Sequence, residues 1–389
     1  MDFNLTGDQR LLKEAVERLL ADTYDFAQRK SLLAEPDGWS RTQWQRFADM
    51  GLLGLPFAES DGGFAGGPVE TMIVMEAFGN ALVVEPYLPT VLLGGGFLRL
   101  AGSDEQRQRL IPRIIDGSLL MAFAQAEPQS LYDLFRVETR ARRVGGAWVI
   151  DGHKRHVLHG DSADVLVVSA RIDGASNDTE GLALFLVDAT APGVTRRGYR
   201  LQDHTRAAEI RLENVRVEND AVLGQPGHAF PIITRVVDST IAALCCEAVG
   251  VMANAHERTI EYMKLRKQFG ATLGSFQALQ HRAVDMFVQL ELARSIAMYG
   301  VMSCEDTDPQ ACSRAVSATK VQIGQSARLI GQESLQLHGG IGMTEDYPAG
   351  HYFRRLTMIE MLFGDTSYHL AALAEAGGGW RTGRRLEFF

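Results

Sequence analysis

The chain has 389 residues, 46% of them hydrophobic and 22% charged, with a formal net charge of −9. These are the proportions of a globular protein, and the length accommodates two or three structural units. The acidic excess argues against a nucleic-acid groove or an anionic-membrane patch, since both need basic clusters.

The first third reads as helix. Thr6 with Gln9 three residues on is a capping-box pair, and Leu11, Leu12, Ala15, Leu19 and Leu20 then recur at helical spacing. Further helices are predicted over 44–53, 69–82 and 104–115, the last stopped by Asp116-Gly117. Ser60-Asp61-Gly62-Gly63 to Gly66-Gly67 reads as a loop. The character changes near Ser118. Short runs rich in β-branched residues at 148–150, 165–170, 182–187 and 209–217 are separated by Gly145-Gly146, Asp151-Gly152, Asp173-Gly174 and Pro192-Gly193. Short strands at such spacing predict a β-sandwich or small barrel. Beyond Gly227, four long helical segments (232–265, 277–304, 311–336 and 352–376) predict an antiparallel four-helix bundle. The predicted fold is therefore α+β. A helical domain (1–117) precedes a middle β domain (118–226), a C-terminal four-helix bundle (227–376) and a flexible glycine-rich tail (377–389).

Cys245, Cys246, Cys304 and Cys312 form no Cys-x-x-Cys pair and are read as reduced core residues of a cytoplasmic protein. No secretory leader pattern opens the sequence. No uninterrupted apolar run of about 18 residues occurs, so membrane insertion is not expected.

Two local motifs stand out. Arg266-Lys267-Gln268-Phe269-Gly270 is followed by Phe276-Gln277, and Gln336-Leu337-His338-Gly339-Gly340-Ile341-Gly342 by Glu345-Asp346-Tyr347-Pro348. A dinucleotide diphosphate needs a fixed cation and close backbone approach. Arg266 offers five donors and a permanent charge. Gly339 and Gly340 remove side chains where backbone meets a ligand. Phe269 offers an apolar wall, and Gln277 and Gln336 offer amide groups. Taken singly, the glycines are equally an ordinary helix stop and Arg266 a helix-end cation. Together with the three-part order, and with Met50-Gly51-Leu52-Leu53-Gly54, Ile111-Pro112-Arg113 and Asn214-Val215-Arg216-Val217, they resemble the acyl-CoA dehydrogenases over essentially the whole chain. The resemblance implies FAD as cofactor. It assigns contacts to Arg266, Gln268, Phe269, Gln277, Gln336, Gly339, Gly340 and Thr366, with the two motifs gripping a flavin held mainly by a neighbouring subunit.

Other signature positions of that family are altered. The segment that lies against the flavin ring reads Ala126-Glu127-Pro128-Gln129-Ser130-Leu131-Tyr132, with Ala126 for the family's threonine and bulk where small residues are usual. On the next flavin-facing strand His156 replaces a tryptophan and Leu158 a hydroxyl residue. The reaction needs a carboxylate beside the substrate's α-proton. The two positions where the family places it are matched to Gly364 and Thr240. Asp365 is the substitute base to consider, one residue late and about 100° round if helical. Its alternative role is a helix N-cap. Glu247 is on the face of Thr240 but about 10 Å along the helix, too far for the same proton. His156, His159, His204 and His338 show no metal spacing, although His156 and His159, placed on one strand, are expected to share a face.

The resemblance therefore implies a half-site subunit. This chain would hold the adenine and diphosphate end of FAD, and a second acyl-CoA dehydrogenase-like subunit would hold the ring, the acyl-CoA and the base, in a heterotetramer. Within the family the nearest likeness is to small subunits of heteromers acting on a dicarboxyl-CoA such as pimeloyl-CoA. The implied reaction is 2,3-desaturation of an acyl-CoA, as in fatty acid β-oxidation, with electrons passed to an electron-transfer flavoprotein. Two alternatives stay open. One is a self-associating homotetramer, dehydrogenase or flavin oxidase, using Asp365. The other is a non-catalytic protein that has lost the cofactor.

Overall fold

The structure is a computed structural model that describes residues 5–377; the predicted tail from 378 on lies outside the described residues. The capping box forms as expected. Thr6 N–H donates to Gln9 Oε1 (2.9 Å) and Gln9 N–H to Thr6 Oγ1 (3.2 Å), opening α1 (Gly7–Thr23). The stripe differs in one member: Val16 and Leu20 are buried, whereas Leu11 is 65% exposed. Helix α2 (Phe26–Ala34) opens on an Asp25 capping box that carries no long apolar stripe behind it. Helices α3 (Arg41–Asp49), α4 (Pro68–Ala81), α5 (Gly95–Ala101) and α6 (Asp104–Ile115) complete the first domain. α5 continues a π-wound turn, Leu88–Gly94, that the glycines and Pro89 hide from sequence periodicity.

The middle domain is an eight-stranded sheet of β1 (Met121–Ala124), β2 (Arg140–Val144), β3 (Ala147–Leu158), β4 (Val165–Arg171), β5 (Leu182–Asp188), β6 (Val194–Arg200), β7 (Arg206–Val217) and β8 (Val222–Gly227). The order is β6-β7-β3-β2-β4-β5-β8, with β1 added parallel to β4 at Met121↔Val165. The continuous apolar runs of β4 and β5 have a direct cause. Successive side chains point to opposite faces, and both faces are covered. Leu166, Val168 and Phe185 enter the core of the β domain, while Val167, Leu184 and Leu186 enter the helical core. β2 and β6 are mostly exposed. Their arginine-rich sequences therefore carry no apolar signal.

The C-terminal domain begins with α7 (Phe230–Leu265), which continues through the hairpin β9 (Lys267–Gln268) and β10 (Ala271–Thr272) into α8 (Gln277–Ser303) and α9 (Pro309–His338). By length and composition α7 is apolar enough to cross a bilayer, but 83% of its apolar window is buried in the fold. All four cysteines are free and buried. α4 and α7 touch backbone to backbone: a Cβ on Gly79 would lie 1.9 Å from Glu247 O. The C-terminal helical domain forms as expected, but its fourth predicted helix is in fact two, α10 (Ala349–Met361) and α11 (Thr366–Ala376). The break is built by tertiary contacts. Phe363 (φ 58°) and Gly364 (φ 113°) turn the chain. The buried Lys320 ammonium donates to the carbonyls of Glu360, Leu362 and Gly364 at 2.8, 2.9 and 2.7 Å. These helix-end acceptors would otherwise be orphaned.

Candidate functional site

The two sequence motifs lie at one end of the bundle. Gln268 pairs with Ala271, which leaves Phe269 and Gly270 as a two-residue hairpin turn with φ of 55° and 80°. Both residues at positive φ match a type I′ turn, in which a phenylalanine is strained. The Phe269 side chain is 93% exposed. Arg266 is exposed beside it, with no carboxylate within 4.0 Å among the described residues. Tyr262 packs on His338, ring centroids 4.6 Å apart, which sets the C-terminal ends of α7 and α9 side by side. Gln336, Gly339 and Gly340 are exposed there, and Gln277 opens α8 with an exposed side chain. Gly339 ends α9 at φ 64° and therefore serves as a helix stop. Gly340 has no such reason, because its φ is ordinary and a Cβ on it would meet nothing within 4 Å. Its missing side chain leaves open backbone at the surface, the arrangement a diphosphate cradle needs. His338 belongs to packing. Its Nδ1 lies 2.7 Å from Ser334 O, and burial pushes its pKa down.

Thr366 is not brought to this corner. It packs against Gly324, twelve residues before Gln336 and so about 18 Å along α9. A cavity of about 370 Å³ lies between β1, β3 and the α10–α11 turn. The altered family positions converge on that cavity: Ala126, Tyr132, His156 and Leu158 line it, together with Phe123 and Phe363. Among its described lining residues none is a carboxylate. The Tyr132 ring lies 5.4 Å from Tyr368, and His156 Nδ1 is 2.9 Å from Tyr199 Oη.

The candidate bases are otherwise engaged. The residue of the 363–365 turn that lines the cavity is Phe363, whereas a Cβ on Gly364 would meet Tyr368 and His369 at 2.5 and 2.7 Å. At the position matched to the missing glutamate, a side chain would collide with Tyr368 and His369. Asp365 caps α11, its Oδ1 accepting from Tyr368 N–H at 2.8 Å. Glu247 is buried and takes a bidentate pair from Arg355 at 2.6 and 2.8 Å. Thr240 donates to Val236 O.

The sequence reading missed two buried ion networks, because single charges in apolar context carry no periodic signal. Lys154 is fully buried and donates to Glu127 Oε1 at 2.7 Å. Glu127 also accepts from the N–H groups of Glu138 and Thr139. Burial pushes the Glu127 carboxyl up, but Lys154 and these donors outweigh it and hold the pKa down at about 2. The Glu127-Pro128 loop is thus braced from inside. The depressed value fixes the sign of the linkage: the stabilisation is complete above the ordinary value of 4.5 and is lost as pH falls toward 2. Glu127→Gln should remove that component from the thermal midpoint measured across this range.

The second network holds Arg355 between Glu247 and Asp203. Beside it His204, Glu345 and His351 bring ligand atoms within 4.8 Å of one another. Arg29 Nη1 lies 3.2 Å from His351 Nδ1, and an arginine only donates. His351 Nε2 therefore carries the proton toward Glu345 O at 3.1 Å, and Arg354 occupies the Glu345 carboxylate. The His351 ring and the Glu345 carboxylate are thus engaged by partners within the chain. His156 and His159 do not share a face. They are three positions apart, β3 ends between them, His156 is exposed and His159 is buried against Trp39.

Family signatures for the acyl-CoA dehydrogenase N-terminal, middle and C-terminal domains match residues 6–118, 122–215 and 230–378. The chain is 27% identical to a probable acyl-CoA dehydrogenase, YngJ, of Bacillus subtilis, covering 96% of this chain and 99% of that one. A variant of the Tcur3481-Tcur3483 steroid ACAD superposes with a TM-score of 0.86 at 27% identity, covering 95% and 98%. The ChsE4-ChsE5 complex from Mycobacterium tuberculosis has the same fold, with a TM-score of 0.87 at 22% identity over 98% and 100%. Three consecutive domain signatures on a chain with this helix–sheet–helix order place it: the protein belongs to the FAD-dependent acyl-CoA dehydrogenase family, oxidoreductases that act on CH–CH bonds.

Proposed function

We propose that this chain is a half-site subunit, supplying the outward FAD grip and leaving the flavin ring, the acyl-CoA and the base to an unlike partner. One observation carries the reading. The cavity formed by the family's ring-facing positions has no carboxylate among its described lining, whereas Arg266, Phe269, Gln336 and Gly340 stand exposed at the far corner. Bound FAD supplies the hydride acceptor. Arg266 would pair with the diphosphate, the Gly339–Gly340 backbone would approach it, and Phe269 would cover an apolar part of the dinucleotide. Gln268, Gln277 and Gln336 would add amide hydrogen bonds. Thr366, far from this corner, would serve only by positioning the α10–α11 turn. In the assembled heterotetramer the partner's carboxylate removes the α-proton of the acyl-CoA, and the product is the 2,3-enoyl-CoA. Electrons then pass to an electron-transfer flavoprotein. The substrate class proposed is a dicarboxyl-CoA such as pimeloyl-CoA, with this chain as the small subunit. Four buried free cysteines fit a cytoplasmic protein. Two structural relatives, Tcur3481-Tcur3483 and ChsE4-ChsE5, are each named for two chains, which supports a two-chain assembly.

The test of the missing base is Asp365→Asn in the co-purified pair. Asparagine keeps the cap, since it is as good an N-cap as aspartate. Acyl-CoA desaturation is expected to be unchanged. A loss of about 10²–10⁴-fold, the usual contribution of a general base, would return the base to this chain.

A further inference from the structure

A second pocket, of about 290 Å³, lies between the loop preceding α4, α5 and α7. It shares no lining residue with the ring-facing cavity. Much of its wall is apolar, including Phe57, Val91, Leu92 and Ala243. Two arginines enter it, Arg99 from the last turn of α5 and Arg235 from α7. Their recorded hydrogen bonds go to main-chain carbonyls: Arg99 Nη1 donates to Pro56 O at 3.0 Å, and Arg235 Nη2 to Cys304 O. Among the described residues neither has a carboxylate within 4.0 Å. Burial, and then the charge of Arg235, pull the Arg99 pKa down, so the two guanidiniums repel within one pocket. Asp238, one turn beyond Arg235, lines the neighbouring groove together with Arg235 and accepts from Ser313 Oγ at 2.5 Å, so part of the Arg235 charge is answered from that side. The Glu70 and Glu305 carboxylates lie 3.2 and 3.7 Å from where a Cβ on the lining residue Gly67 would stand, and Glu70 is engaged by Gly67 N–H at 2.8 Å. The hydroxyls of Thr71, Ser239 and Thr240 donate to the carbonyls of Gly67, Arg235 and Val236. Their protons are spent, so an anion in this pocket would be recognised by the guanidiniums.

We propose that this pocket binds an anionic amphiphile, an aliphatic carboxylate whose head group sits between Arg99 and Arg235 and whose chain lies against Phe57, Val91, Leu92 and Ala243. Two guanidiniums in one largely apolar pocket repel each other, and a carboxylate between them relieves that repulsion through charge-assisted hydrogen bonds. The volume lies at the lower end of small-molecule pockets, which suits a short chain. Arg99 is exposed on one side and marks the mouth. The site is independent of where the flavin ring binds.

The test is calorimetric titration of the full chain with octanoate, 1-octanol and inorganic phosphate. Octanoate is expected to bind at least tenfold more tightly than either comparison ligand, and to weaken with added salt. Arg99→Gln and Arg235→Gln should each reduce octanoate affinity at least tenfold. Octanol binding equal to octanoate would remove the charge recognition, and phosphate binding equal to octanoate would remove the amphiphile. Octanoate affinity unchanged in both variants would place the acid elsewhere. Any of these three results overturns the proposal.

Discussion

Arg266→Ala in the co-purified complex is expected to lower FAD affinity by about 2–5 kcal/mol, the cost of removing one partner from a desolvated charge pair. The guanidinium stands at the C-terminal end of α7 with no carboxylate within 4.0 Å among the described residues. Its removal therefore breaks no ion pair among the described residues, and the fold should be unaffected. Flavin content after gel filtration reads the loss directly. Arg266→Lys should recover only part of it, because an ammonium is a point charge and a guanidinium a planar fork. If Arg266→Ala retains its full flavin, the corner does not grip the cofactor. Gly340→Val provides an independent check at the same place. A Cβ there meets nothing within 4 Å among the described residues, so a loss of flavin with the fold intact reports contact with the cofactor.

Arg355→Ala is expected to destabilise the protein by about 3–5 kcal/mol, the range for breaking a buried ion pair on one side only. Arg355 reaches from α10 to Glu247 on α7 and to Asp203 in the loop between β6 and β7, at 2.6–2.8 Å. The Arg355, Glu247 and Asp203 side chains are only 11%, 5% and 1% exposed. Losing the guanidinium leaves two carboxylates buried together with no cation between them, so both the middle domain and the bundle lose their shared contact. Urea unfolding followed by tryptophan fluorescence should show the midpoint falling, and a shift below about 1 kcal/mol would mean that solvent reaches the network. Neutralising all three members together should cost less than the single change, since no unpaired charge then remains.

Local signals were legible in the sequence, and long-range ones were not. The Thr6–Gln9 capping box and helix 104–115 were read correctly because caps and apolar stripes are local. β2 and β6 were missed because exposed strands rich in arginine have no alternation to read. The α10–α11 break was missed because Lys320, far away on α9, satisfies the freed carbonyls. The altered positions Ala126, Tyr132, His156 and Leu158 could be singled out only through the family resemblance, and the structure gathers them at one cavity. That Phe363 lines the cavity has no signal in the sequence, because its direction depends on two positive φ angles in succession. The pairs Lys154–Glu127 and Arg355–Glu247 join residues far apart in sequence, and no pattern in a single chain announces such a pairing.

The measurement that bears most directly on the half-site reading is the visible spectrum and flavin-to-protein ratio of this chain, purified alone and co-expressed with a second acyl-CoA dehydrogenase-like subunit. The reading predicts a colourless chain alone and a yellow complex with one FAD per pair of unlike subunits. A chain that is yellow by itself, with one FAD each and bleached by an acyl-CoA, would contradict it.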